Sequence, residues 1–206
     1  MRRSADGIAP LMPYLAVALG MYGAYSAWTA LGLYHAGMLV ALAMQGQGRV
    51  GIGKSQLKLH WLLLVTVVFA MGGVLLYVLW PLLGRDGSML ADRLAVFGVT
   101  RTTWPLLAVY FCLVNSTLEE FFWRGRLGSD TRHITRNDVF FAGYHAFVMM
   151  AFANPIWALP VFVACAFGGW LWRRLRSLSG GLLLPVLTHI AADISIVVAV
   201  HLRAFQ

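Results

Sequence analysis

LHWLLLVTVVFAMGGVLLYVLWPLLG, residues 59–84, runs for 26 positions without Asp, Glu, Lys or Arg. About 20 apolar residues in helical form cross the roughly 30 Å hydrocarbon core of a bilayer, so this stretch reads as a transmembrane helix. Four more uncharged runs lie around it: Ile8 to Met44, Thr102 to Leu118, Val139 to Trp172 and Ser177 to Ala192. Of all 206 residues, 60% are hydrophobic and 12% charged, against about 25% charged in soluble domains. This composition excludes a soluble globular enzyme, a disordered chain and a coiled coil. It predicts an all-α, polytopic membrane bundle of about six to seven transmembrane helices. At this length residues 1–206 form a single membrane domain, with N-terminal spans and an amphipathic segment over 1–103 and a helical core over 104–202.

Outward from residues 59–84, the run at 8–44 holds 37 residues, about 55 Å as one helix. It is either one span with an interfacial extension or a tight pair of spans. Arg2 and Arg3 before it resemble a signal peptide, but the run far exceeds a cleavable segment, so a retained anchor is expected. An amphipathic stretch from Arg85 to Arg101 follows the quoted run, and further spans are expected near 104–122, 138–153, 156–172 and 181–201. Cys112 and Cys165 fall inside apolar spans and read as small core residues. Trp61, Trp80, Trp104, Trp170 and Trp172, near span ends, read as interface anchors.

The formal charge is +8, from 16 basic and 8 acidic residues. The basic residues cluster in short loops between apolar runs, as juxtamembrane charges do, so no nucleic-acid partner is expected. The Arg49–Lys58, Arg124–Arg136 and Arg173–Arg176 loops share one side, which holds ten Lys and Arg against six, or twelve against four if the first run crosses twice. The positive-inside rule makes that side cytoplasmic in a multi-pass protein of the cell membrane.

Ionisable residues inside apolar spans point to function. The only two glutamates are adjacent, in Leu118-Glu119-Glu120-Phe-Phe-Trp-Arg124. Their carboxylates repel, and Arg124 offsets part of this as an i,i+4 partner of Glu120. His145 lies about seven residues into its span, roughly 10 Å deep, with Phe141 at i−4 on the same face. His189 and Asp193 share a helix face at i,i+4 spacing, at roughly 12 Å for His189. A helix-end ion pair or a satisfied core histidine would explain any one of these alone. Together they bring carboxylates and imidazoles from three helices to one level, which suits a water-activating base with oxyanion donors or a metal site. His133, His201, His35 and His60 read as snorkelling or interfacial, the last two away from this cluster.

Glu119-Glu120-x-x-x-Arg124, Phe141-x-x-x-His145 and His189-x-x-x-Asp193, in that order, resemble the three-part signature of the CPBP intramembrane proteases. This group comprises CAAX prenyl proteases of the Ras-converting type and bacteriocin-processing (Abi) proteins. Phe167-Gly-Gly-Trp-Leu-Trp-Arg-Arg and Ser179-Gly-Gly-Leu-Leu-Leu-Pro185 are also similar to that family's penultimate helix and turn. The likeness covers about Leu106 to Ile196. It implies a helical bundle with a chamber open to the cytoplasm, hydrolysing a peptide bond of a membrane-tethered or hydrophobic peptide at the lipid bilayer. Carried over, Glu119 or Glu120 would activate water, the first in preference, and Arg124 would hold the second carboxylate. His145 would orient the water or stabilise developing charge, and His189 with Asp193 would complete the oxyanion side. Family members act as metalloproteases or as metal-independent glutamate proteases. A zinc ion, if present, would take His145, His189, Asp193 and Glu119 as ligands. At position 193 the family commonly has Asn; an ionised Asp cannot donate a hydrogen bond, so Asp193 would be protonated, orient His189 or bind a cation. The alternatives are a transporter relaying protons through the same groups, or an immunity or scaffold protein with idle catalysis.

Overall fold

Lipid offers the backbone no hydrogen-bond partners, so an apolar chain that crosses it must close its bonds within each helix. Among the residues described by the computed structural model (7–44, 51, 53, 59–83 and 87–206), all regular elements are helical. The main ones are α1 (Ala9–Gly23), α2 (Ala27–Ala43), α3 (Leu59–Leu79), α4 (Gly87–Val96), α5 (Trp104–Arg126), α6 (Arg136–Met149), α7 (Ala158–Ser179) and α8 (Leu183–Ala204). Arg2, Arg3, Arg49, Lys54, Lys58 and Arg85 lie outside the described residues.

Four segments are long and apolar enough to span a bilayer: Leu62–Leu82, Trp104–Arg126, Pro155–Ser179 and Leu183–Ala204. The shorter α1, α2 and α6 complete the bundle. The run at 8–44 folds as two apolar helices, Ala9–Gly23 and Ala27–Ala43, each shorter than the four spanning segments and separated where Tyr25 takes a left-handed φ of 50°. Ser26 then caps α2, its side chain accepting from the Thr29 amide at 3.1 Å. With 14 residues, α6 reaches about 21 Å and is shorter than the expected span at 138–153. A capping box starts it, Thr135 and Asp138 each bonding the other's backbone amide.

Small residues set the closest helix contacts, as in other membrane bundles. At Gly73 a Cβ would strike the Ser195 backbone, so α3 lies directly on α8. Gly180 ends α7 at φ 76°, and Gly53 packs against the Gly180–Gly181 turn. Leu182 N–H donates to the Gly51 carbonyl at 3.3 Å. One end of the bundle thus gathers residues 51 and 53, the segment 127–135 and the turn at 180–181.

Two basic residues depart from the juxtamembrane reading. Arg173 and Arg176 are buried within α7. Arg173 pairs with Asp138 at 2.8 Å and donates to the carbonyls of Ser129, Thr131 and His133 at 3.2, 2.5 and 2.6 Å. Arg176 donates to the Arg124 carbonyl at 2.8 Å and to Asp130 at 2.5 Å. A guanidinium carries five donors in a planar fork, which lets one side chain hold several carbonyls. Trp80, Trp104 and Trp172 are likewise buried, as core residues and not interface anchors; Trp170, half-buried, donates to the Arg132 carbonyl at 2.8 Å. The side chain of Trp61 lies outside the described residues.

Candidate active site

Wide π-type turns at Phe111–Asn115 and Glu120–Arg126 flank one α-turn, Ser116–Glu119, in α5. Such turns are rare and concentrate at functional sites. Here both glutamates and Arg124 face inward: Glu119 is 1% exposed, Glu120 0% and Arg124 2%. Lipid and protein interior penalise such charges unless they are paired, and the pairing is extensive.

Glu120 Oε1 lies 3.0 Å from Arg124 Nη1 and accepts from His189 Nδ1 at 2.7 Å. The contact with Arg124 is charge on charge, without hydrogen-bond alignment. The guanidinium sits 4.1 Å from the Phe141 ring centre and 5.0 Å from that of Trp172, so ring quadrupoles on two sides stabilise the cation. A Cβ at Gly169 would stand 3.0 Å from Phe141 and 3.2 Å from Arg124 Nη2, and the glycine leaves room for this stack.

His189 is aligned by Glu120 and by Trp172, whose ring stacks on the imidazole at 4.1 Å and 20°. Phe69 of α3 stacks on the far face of the same indole, at 4.6 Å and 9°. With Nδ1–H committed to Glu120, His189 Nε2 lies 3.8 Å from Glu119 Oε2 and 3.8 Å from Asp193 Oδ1. Both separations exceed a hydrogen bond and are short enough for one oxygen to bridge. Asp193 thus makes no direct hydrogen bond to His189, whose Nδ1–H is held by Glu120. Asp193 is held instead by Ser116, whose Oγ lies 2.7 Å from Asp193 Oδ2.

His145 donates from Nδ1 to the Phe141 carbonyl at 2.8 Å, while the Phe141 ring packs on its imidazole at 4.4 Å. In the neutral ring Nε2 is then an acceptor. Tyr144 is bound on both sides of this region: its hydroxyl donates to Glu119 Oε1 and lies 3.2 Å from His145 Nε2. Glu119 Oε2 has no hydrogen-bond partner among the described residues.

All six candidate side chains thus belong to one connected cluster built on α5, α6 and α8. The sequence reading missed Tyr144, Ser116 and Trp172, and also three residues of the N-terminal half. Tyr34 interacts with Glu119 and Tyr144, and Phe69 supports Trp172. His35 is buried and not interfacial, its Nδ1 at 2.6 Å from the Tyr110 hydroxyl and its Nε2 at 3.0 Å from Asn115 Oδ1. Asn115 precedes Glu119 by one helical turn, so the pair braces the glutamate helix from α2.

No three His, Cys, Asp or Glu side chains among the described residues form a group that could hold a metal ion. The zinc set of His145, His189, Asp193 and Glu119 is thus not assembled.

Residues 101–195 match the protein-family model described as Rce1-like, type II CAAX prenyl endopeptidase Rce1-like. This is just under half of the chain, and it contains all three motif segments. No curated protein and no solved structure matches the chain.

Proposed function

We propose that this chain is an intramembrane endopeptidase that hydrolyses a peptide bond of a membrane-associated or hydrophobic peptide through a water activated by Glu119. The observation that carries the reading is the unequal state of the two Glu119 oxygens. Oε1 is held by Tyr144, whereas Oε2 is unpartnered among the described residues and faces His189 Nε2 across 3.8 Å. A water bridging that interval would lie within reach of the carboxylate that takes its proton, the geometry a general base requires. Its oxygen then attacks the scissile carbonyl, the C–N bond breaks, and the proton on Glu119 passes to the leaving amine. Glu120 and Arg124 touch no reacting atom in this scheme; Glu120 holds His189 as the imidazolium, whose Nδ1–H it accepts and whose Nε2–H is left to donate to the carbonyl oxygen. His145 Nε2, an acceptor, suits orienting the water better than donating to an oxyanion. Asp193 lies on the carbonyl side with His189.

The end of the bundle that gathers residues 51 and 53, the segment 127–135 and the turn at 180–181 also holds Arg126, Arg132 and Arg136, and we assign that end to the cytoplasm. The matched family points to a prenylated Cys-a-a-X peptide as the first substrate to test. The full chain is reconstituted in phospholipid vesicles with a fluorescence-quenched farnesylated peptide of this type. Cleavage by wild type, and its loss in Glu119→Ala with membrane insertion intact, is the expected result. Full activity in Glu119→Ala would remove Glu119 as the base.

A further inference from the structure

Tyr144 stands next to His145 in sequence, yet it is the side chain in closest contact with Glu119. Its ring is locked on several sides: parallel to Trp123 at 6.1 Å and 6°, edge-on to Phe141 at 5.8 Å, and 4.1 Å from the His145 ring. Its hydroxyl has one proton and two acceptors in reach, Glu119 Oε1 and His145 Nε2, the latter at 3.2 Å. His145 Nε2 is an acceptor because Nδ1–H is committed to the Phe141 carbonyl. Tyr34 backs this arrangement from α2. Trp123 Nε1, which can only donate, gives its hydrogen to the Tyr34 hydroxyl at 2.8 Å. The single Tyr34 O–H is thereby left for the Glu119 and Tyr144 side, with which it interacts.

We propose that Tyr144, backed by Tyr34, is a positioning residue that selects which oxygen of Glu119 acts as the base and moves its own hydrogen bond during the reaction. The inference rests on the proteolytic reading above. While Glu119 is ionised, the phenol donates to Oε1 and turns Oε2 towards the water. Once Oε2 has taken the water's proton, Oε1 is a weaker acceptor and the phenol O–H turns to His145 Nε2. Glu119 is then released to hand its proton to the leaving amine as the C–N bond breaks. No proton leaves the phenol: it changes partner, and the water's proton makes the whole transfer from water to amine.

Tyr144→Phe keeps the ring and its stacking and removes only the hydroxyl. On the farnesylated peptide in vesicles we expect kcat to fall roughly a hundredfold, the scale of a misplaced catalytic group, with KM unchanged in a protein that still folds and inserts. Tyr34→Phe should lower kcat by a smaller factor, again without moving KM, and it tests the relay if Tyr144→Phe fails to insert. Wild-type kcat in both variants, or a loss lying wholly in KM, overturns the proposal while leaving the protease reading intact. If wild type itself cleaves no peptide and Glu119→Ala changes nothing, the protease reading fails and the inference falls with it.

Discussion

Ser116 has one hydroxyl proton and two acceptors, Asp193 Oδ2 and the Cys112 carbonyl, each at 2.7 Å. One proton serves one of them; given to Asp193, it leaves an ionised, buried carboxylate with Ser116 as its single hydrogen-bond donor among the described residues, a deficit of about 1–3 kcal/mol. An Asn at 193 would relieve the shortage, its amide donating to Ser116 Oγ while the hydroxyl turns to Cys112. We therefore expect Asp193→Asn to raise the melting temperature in detergent and to keep most of the cleavage activity, because the amide can also donate to an oxyanion. Loss of cleavage in a folded Asp193→Asn protein would show that the carboxyl itself is required. In Ser116→Ala the carboxyl group loses its holder, and activity should drop roughly tenfold, the equivalent of one such hydrogen bond. The i,i+4 spacings made Glu120–Arg124, Phe141–His145 and His189–Asp193 legible in sequence, because spacing alone puts such pairs on one helix face. What spacing could not disclose is which of those neighbours bond: Arg124 does reach Glu120, whereas Asp193 bonds Ser116 and leaves His189 to Glu120.

The clamp between α7 and the segment ahead of α6 holds the site from outside. Arg173 ties Asp138, in the first turn of α6, to three carbonyls of residues 129–133, and Arg176 ties α7 to the end of α5. His145 is seven residues further along α6, so the clamp sets its height against Glu119. Removing Arg173 leaves Asp138 buried without its cation, a defect of about 3–5 kcal/mol in comparable pairs. In Arg173→Ala, tryptic cleavage after Arg132 should accelerate well before the spans unfold; cleavage at the wild-type rate would show that the loop is held by other contacts. From sequence, Arg173-Arg174-Leu-Arg176 looked like a loop charge cluster, since composition does not say which face of a helix end meets protein. The half-buried Arg174 between the two buried arginines follows the helix period, a signal that was present but is shared by many solvated ends.

The helical membrane class was readable from uncharged run lengths alone, while the contribution of the first hundred residues was not. Tyr34, His35 and Phe69 sit in helices whose apolar pattern is nearly uniform, so no periodicity marks the face that meets the core; only the tertiary contact identifies them. Sidedness is a property of the whole molecule. Ile134, exposed beside α6, and Ile156, exposed at the start of α7, lie towards opposite ends of the bundle. Ile134→Cys should react with a membrane-impermeant maleimide only from the cytoplasmic face and Ile156→Cys only from the other; labelling of both from one face would refute the assigned orientation. The central claim is that the carboxylate of Glu119 draws the proton from the attacking water. Its most direct test is cleavage of the farnesylated peptide in heavy-oxygen water by wild type and by Glu119→Gln, an isosteric change that removes the base. The account predicts one heavy oxygen in the new carboxyl terminus of the wild-type product and no product from the folded, inserted variant; product formed by Glu119→Gln at the wild-type rate would contradict it.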